Sequence, residues 1–542
     1  MSKTDRARIA GTTCIVLLAL AACTAQAAHV PLDVKTQYGW VGGALERGVV
    51  AFKGIPYAAP PRGVLRWAAP QAAEAWKGIR PAVEYGPDCM QRPTPGDAAP
   101  LRTETSEDCL YVNIWRPAQK STKPLPVMVW IYGGWYVDGG TSPAVYDGSA
   151  FARRGVVLVS FNYRLGNFGF FAFPALARAG VPEGDFAFMD QMAALKWVQR
   201  NIAAFGGDPQ NVTVFGESCG GASVNALLIN PQANGLFQKA IIESGGGAGW
   251  LTPERPLEGG ADSGEAIDVR LARHLGVDGR GPQALEALRA LPAKKVVDGL
   301  NMATLFSDPN YVGGPMVDGH FYFGAPVREY ARGMGARVPV MIGANTADLG
   351  WMDAKSLPAL FASLGPAAAE ARAAFDPTGK LTLQQVSDEI GGAAWMIEPA
   401  RAIARTLSAR GQPVYEYRFS YIPTSMRGKW PGVWHAAEIP FVFDTVRAHY
   451  GAQTSAADEA MAREVQSYWV AFARTGRPVP AGEPAWPRYE RSTDRLMNFT
   501  DRGPRVERDP WRKRLDLTER VWPLKPGIFH PSAVASSSFG SR

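Results

Sequence analysis

Near-continuous apolar runs alternate with segments of helical spacing along much of the chain, which predicts an α/β architecture with buried parallel strands. Residues 126–132 and 156–161 carry almost no polar positions, the pattern of strands covered on both faces. Residues 189–204 place Met192, Leu195, Val198 and Ile202 at helical spacing, and the run breaks at Phe205-Gly-Gly-Asp-Pro209. Further strands are predicted at 211–215, 338–342 and 414–419, and helices at 221–229 and 458–474. Two helical stretches, 261–300 and 355–410, fall between strands and are candidate caps over a pocket. There is no internal repeat and no linker that splits the chain.

The N-terminus breaks this pattern. Lys3, Arg6 and Arg8 precede an apolar run over 14–22 that is too short to span a bilayer, so residues 1–27 are expected to be an export signal. Two processing readings stay open. Ala25-Gln26-Ala27 is a small-x-small cleavage site that would release a periplasmic or secreted protein. Leu20-Ala21-Ala22-Cys23 resembles a bacterial lipobox, which would place a lipid on Cys23 and make an outer-membrane lipoprotein. The expected organisation is then one catalytic domain over 28–525 and a flexible Ser-rich tail over 526–542.

Composition narrows the partners. With 542 residues, 46% hydrophobic and 20% charged, the chain is neither a disordered tail protein nor a polytopic membrane protein. A formal charge of +7 over this length, with no long Lys/Arg run, gives no nucleic-acid footprint. No Cys-x-x-Cys pair or His cluster suggests a metal, and no phosphate-binding loop suggests a nucleotide, so no cofactor is expected. Membrane contact is expected only through a lipid on Cys23, and oligomeric state is not specified. Cys89 and Cys109 bracket a loop rich in Pro, Gly, Thr and Arg, which suits a structural disulfide outside the cytoplasm. Two unpaired buried thiols are the alternative.

Gly216-Glu217-Ser218-Cys219-Gly220 has the G-x-S-x-G form. In a glycine-rich chain the pattern alone is weak, but a predicted strand runs into it and a predicted helix runs out. That context is a strand-to-helix turn presenting Ser218 as a nucleophile. Six histidines compete to be its base. His29 and His530 lie at the termini, His274 on a solvated helix face, His320 after a turn and His449 among surface-type residues. His435 alone follows a loop and precedes an apolar segment, Glu438-Ile-Pro-Phe-Val-Phe443. The acid should lie between them in chain order; Asp348 fits, just beyond the 338–342 strand, with Asp353 as competitor. Oxyanion donors are expected from the Cys219 N–H and from Tyr132-Gly133-Gly134-Trp135-Tyr136, the glycine loop that ends the 126–132 strand.

These residues resemble the type-B carboxylesterase/cholinesterase family of α/β-hydrolases from about 32 to 500. The matching blocks include Phe52-Lys-Gly-Ile-Pro-Tyr57, Ser106-Glu-Asp-Cys-Leu-Tyr-Val-Asn113, Asn162-Tyr-Arg-Leu-Gly166 and Asp190-Gln191. Phe205-Gly-Gly-Asp-Pro209, Phe215-Gly-Glu-Ser218, Val317-Asp-Gly319 and His435-Ala-Ala-Glu-Ile-Pro-Phe441 complete them. The resemblance implies a central, mostly parallel twisted sheet flanked by helices, with helical insertions capping the active site. It also implies a serine carboxylesterase acting through an acyl-enzyme, with Ser218, Asp348 and His435 as triad and Gly134, Trp135 and Cys219 as oxyanion donors. A Cys89–Cys109 disulfide and an Arg66–Glu107 ion pair are implied as well.

Four positions depart from the family pattern. Asp348 replaces the commoner glutamate, and Cys219 replaces an alanine whose N–H is all that is needed. Trp135 stands where the family has glycine or alanine, so an indole should narrow or reshape the pocket. The Cys89–Cys109 loop contains no Trp, which disfavours a quaternary ammonium substrate held by cation–π contact. Trp135, Trp250 and Trp434 are candidate pocket walls for a small-molecule ester, core filling being the alternative for each. A hydrolase for a bulky natural ester, lactone or amide, or a non-catalytic binding protein of the same fold, are the competing functions.

Overall fold

Eleven strands hydrogen-bond into one sheet in the computed structural model, which describes residues 31–94, 97–178, 184–247 and 254–522. The expected signal segment, Cys23, Trp250 and the 526–542 tail lie outside the described residues. In chain order the strands are β1 (Ala44–Glu46), β2 (Val49–Pro56), β3 (Tyr111–Pro117), β4 (Leu125–Ile131), β5 (Val157–Phe161) and β6 (Gly207–Glu217). They continue as β7 (Lys239–Glu243), β8 (Val340–Asn345), β9 (Val414–Phe419), β10 (Arg495–Thr500) and β11 (Gly503–Arg508). Their spatial order is β11-β10-β9-β8-β7-β6-β4-β5-β3-β2-β1. The run from β5 through β4 and β6 to β10 is parallel, while both edges are antiparallel.

The parallel strands are apolar on both faces because helices cover both sides. Residues 127–131 of β4 have no solvent exposure at all. Helix α1 (Phe186–Asn201), helix α2 (Cys219–Ile229) and helix α3 (Ala456–Thr475) supply much of that cover. Helix α2 packs on β6 and β7, and α3 on β4 and β6. Ser455 and Asp458 form a reciprocal capping box that starts α3 two residues before the predicted point. Strand β8 starts at Val340, two residues later than predicted, because Pro339 has no N–H for the ladder and serves only as an acceptor for Ala240. The predicted 189–204 helix ends at Asn201 and closes with a 3-10 turn, Ile202–Phe205, before left-handed Gly206.

Chain order reverses beside β4, whose neighbours are β5 on one side and β6 on the other. Open α/β sheets place ligands outside the carboxyl ends of strands at such a crossover. Register fixes what meets there. Gly216 of β6 pairs with Ile131 of β4, and Glu217 pairs with Glu243 of β7, which pairs with Gly343 of β8. The segments leaving these strands therefore emerge side by side.

Both excursions contain helices. Gly264–His274, Pro282–Ala290 and Ala293–Val297 bury Leu271, Leu285, Leu288 and Val296 in a second apolar cluster with Trp67, Phe171 and Phe173. Arg66 fastens that excursion: its guanidinium grips Glu107 through two bonds of 2.7 Å and also donates to the carbonyls of Leu288 and Leu291. The second excursion comprises Leu357–Ala362, Ala368–Phe375, Leu383–Gly392 and Glu398–Ala409, joined by a π-helical turn at Ala393–Ile397. Cys89 and Cys109 form a disulfide. Among the described residues no helix is long and apolar enough to cross a membrane.

Candidate active site

Ser218 stands on a sharp turn between β6 and α2, with φ 56° and ψ −125°, a conformation that costs an L-residue energy. Its N–H donates to Glu243 O at 2.9 Å and its carbonyl accepts from Ala222 N–H at 2.8 Å, which holds the turn from both sides. The flanking glycines are required by contact. A Cβ on Gly216 would lie 2.6 Å from Ile131 O, and one on Gly220 would collide with the same carbonyl. The helix begins at Cys219, two residues before the predicted start, so its first free N–H groups lie directly beside the serine.

Asp348 and His435 are brought together from loops 87 residues apart. His435 Nδ1 lies 2.6 Å from Asp348 Oδ1. The other carboxylate oxygen accepts from Ser244 Oγ at 2.7 Å and Asn345 N–H at 2.8 Å. The two loops are stitched by their backbones: Ala347 N–H donates to Val433 O, and Asn345 Nδ2 donates to Trp434 O, each at 2.8 Å. Asp353, the competing acid, is exposed. The shorter aspartate arm reaches the ring because the loop backbone is drawn in by these bonds.

The His435 Nε2 atom lies 3.2 Å from Glu217 Oε1, although neither atom makes a hydrogen bond among the described residues. The Ser218–His435 hydrogen bond is therefore not formed in this arrangement; such contacts often tighten only when substrate binds. Glu217, Ser244 and Glu438 were not singled out by sequence reasoning. Glu217 and Glu438 each sit inside a quoted motif, one residue before Ser218 and three residues after His435, so adjacency was the available signal, while Ser244 lay in no quoted motif.

The site is rich in buried acids. Burial opposes the Asp348 carboxylate, but the charge and hydrogen bond of His435, with Ser244 and Asn345, hold it below the usual range. Burial also opposes a charged His435, yet Glu217, then Asp348 and Glu438, lift its pKa to about 9. Burial pushes the Glu217 carboxyl well up against the pull of His435. It pushes Glu438 up to about 7 despite donation from Asn345.

The glycine loop after β4 packs directly on Ser218: a Cβ on Gly133 would lie 2.8 Å from Ser218 Cβ. Trp135 and Tyr136 both take positive φ, 54° and 60°, in a loop where the sequence reading expected only an unusual side chain. Packing pays for that conformation. Tyr136 is fully buried, edge-on to Phe170 with ring centroids 5.1 Å apart, and its carbonyl accepts from Gly166 N–H at 2.7 Å. The Trp135 indole meets Phe306 edge-on at 4.9 Å, Phe306 meets Trp351 at 5.5 Å, and Trp351 meets Trp395 at 4.3 Å. An aromatic chain thus runs from the glycine loop into the second excursion. Cys219 is a free, fully buried thiol, and burial pushes its ionisation far up, so it is chemically quiet. Trp434 is half-buried, its ring edge-on to Trp430 at 6.2 Å.

A strained serine on a strand-to-helix turn, at the crossover of a mostly parallel sheet, belongs to an α/β-hydrolase. The Carboxylesterase family model matches residues 31–363 and 376–518, and the chain belongs to that family. It is 37% identical over 511 residues to the para-nitrobenzyl esterase of Bacillus subtilis (strain 168), covering 91% of this chain and 99% of that protein. It is 36% identical over 486 residues to the fumonisin B1 esterase of Sphingopyxis macrogoltabida, covering 86% and 85%. A solved PNB esterase structure superposes with a TM-score of 0.76 at 33% identity, over 90% of this chain and 99% of that one. The protein is a carboxylic ester hydrolase, with small-molecule esters as its substrates.

Proposed function

We propose that the chain hydrolyses esters through an acyl-enzyme on Ser218. His435 takes the serine proton as the hydroxyl attacks the ester carbonyl, then returns it to the leaving alcohol. Asp348 fixes the imidazole tautomer through Nδ1 and stabilises the imidazolium without accepting its proton. The N–H groups of Gly134, Trp135 and Cys219 hold the oxyanion, each donor contributing about 3 kcal/mol at the transition state. Water, activated by His435, then releases the acid. The 2.6 Å His435–Asp348 contact beside the Ser218 turn carries this reading.

Ser218→Ala should fold as the parent does by circular dichroism and lose about a thousandfold or more in turnover of an aryl acetate. Residual activity near the parental level would remove Ser218 from the mechanism.

The reaction is assigned to an exported catalytic domain spanning 28–525, a reading supported by the disulfide and by the basic-then-apolar N-terminal pattern. Mass analysis of the mature N-terminus chooses between cleavage after Ala27 and a lipid on Cys23; an intact residue 1 would overturn export.

A further inference from the structure

A cavity of about 610 Å³ opens on the outer face of α1, and no residue of the Ser218 site lines it. Its size falls in the range of small-molecule sites. Helix α1 divides cleanly. Gln191, Ala194, Leu195 and Val198 are fully buried against the body, and Gln191 Nε2 bonds Ser223 of α2 at 3.0 Å. Met189, Met192, Ala193, Lys196 and Arg200 form the stripe that faces the cavity.

The stripe is graded. Met189 and Met192 are 4% and 2% exposed and make an apolar floor with Ala58, Pro70 and Phe321 opposite. Thioether side chains adapt to the shape of an alkyl chain. Lys196 and Arg200, one turn apart, are exposed at the other end. Neither forms an ion pair among the described residues; Arg200 Nε donates instead to the neutral Gln37 Oε1 at 2.6 Å. No aspartate or glutamate lines the cavity, and its remaining polar groups include the amides of Gln37, Gln71 and Gln232. Two unneutralised cations beside an apolar floor favour a ligand with an anionic head and a hydrocarbon body. The guanidinium and ammonium suit a carboxylate, and the glutamine amides add donors.

We propose that this cavity is a second ligand site, separate from the Ser218 centre, that binds an amphipathic carboxylate with its chain on the methionine floor. The head lies between Lys196 and Arg200.

The test is calorimetric titration of the full-length protein with decanoate, decanol and decyltrimethylammonium below their micellar concentrations. Decanoate should bind, more weakly at high salt, and the other two should bind at least about tenfold less tightly. The double variant Lys196→Glu/Arg200→Glu should lose about tenfold in decanoate affinity and keep parental turnover of a short neutral ester. Ala193→Trp, which fills the cavity, should abolish binding. Equal binding of decanol, or decanoate affinity unchanged by the double charge reversal, would overturn the site, the latter by placing the acid elsewhere, the catalytic cleft included. Absence of decanoate binding would overturn it as well. Because the charge reversal alters only exposed side chains, its result stands even where Ala193→Trp fails to fold.

Discussion

Glu217 and His435 face each other at 3.2 Å, Oε1 to Nε2, on the ring nitrogen that Asp348 leaves free. An ionised Glu217 favours the imidazolium, which in the proposed mechanism helps the transition state but withholds the neutral base from the resting enzyme. The two groups titrate as a pair, so a pH profile reports both. Glu217→Gln removes one negative neighbour and lowers the His435 pKa from about 9. The rise of kcat/KM with pH should therefore move to lower pH, while its plateau falls by about tenfold. A profile with an unmoved midpoint would show that Glu217 exerts no field on the base.

Asp348→Asn keeps the shape of the acid and loses its charge. The amide can present either an acceptor or a donor to Nδ1, so the required tautomer is no longer enforced. Turnover of an aryl acetate should drop by about 10⁴-fold, with little change in melting temperature. Activity within tenfold of the parent would mean that a different acid supports His435.

Trp135→Gly removes the indole while keeping the backbone N–H, and it relaxes a positive φ that glycine adopts freely. Esters with bulky acyl or alcohol groups should gain about tenfold in kcat/KM, and small esters should change little. A panel varied in acyl length, charge and alcohol bulk measures this. An unaltered preference would show that the indole serves only as packing for Phe306.

Arg66→Ala leaves the Glu107 carboxylate, 14% exposed, without its partner and frees two carbonyls at the end of Pro282–Ala290. The expected loss is about 3 kcal/mol or more. Denaturant melting measures it, and limited proteolysis should show residues 264–297 opening first. Unchanged stability would reduce the ion pair to an incidental contact.

The central strands and the Ser218 turn were legible because buried parallel strands leave long apolar runs and the turn demands glycine on both sides. Asp348 and His435 followed from chain order and from loops beside apolar segments. The surrounding acids were hidden for a physical reason. Glu217 and Glu438 look like ordinary charged residues in a linear sequence, and only folding brings both, buried, to one imidazole. Trp135 was visible as an oddity, but its positive φ and its contact with Phe306 depend on a loop some 170 residues away. The α1 cavity left no motif, since its walls come from six separate segments.

The aromatic chain from Trp135 to Trp395 has an evolutionary and engineering consequence. In the proposed mechanism residue 135 lends its backbone N–H to the oxyanion, while its ring meets Phe306 and is linked through Phe306 and Trp351 to Trp395. Grafting residues 355–410 from a relative with a small residue at this place would replace Trp395, the far end of the chain, and leave Trp351 without that ring partner. Successful exchange of that segment should thus need a compensating change at 135, which makes the two a single heritable unit.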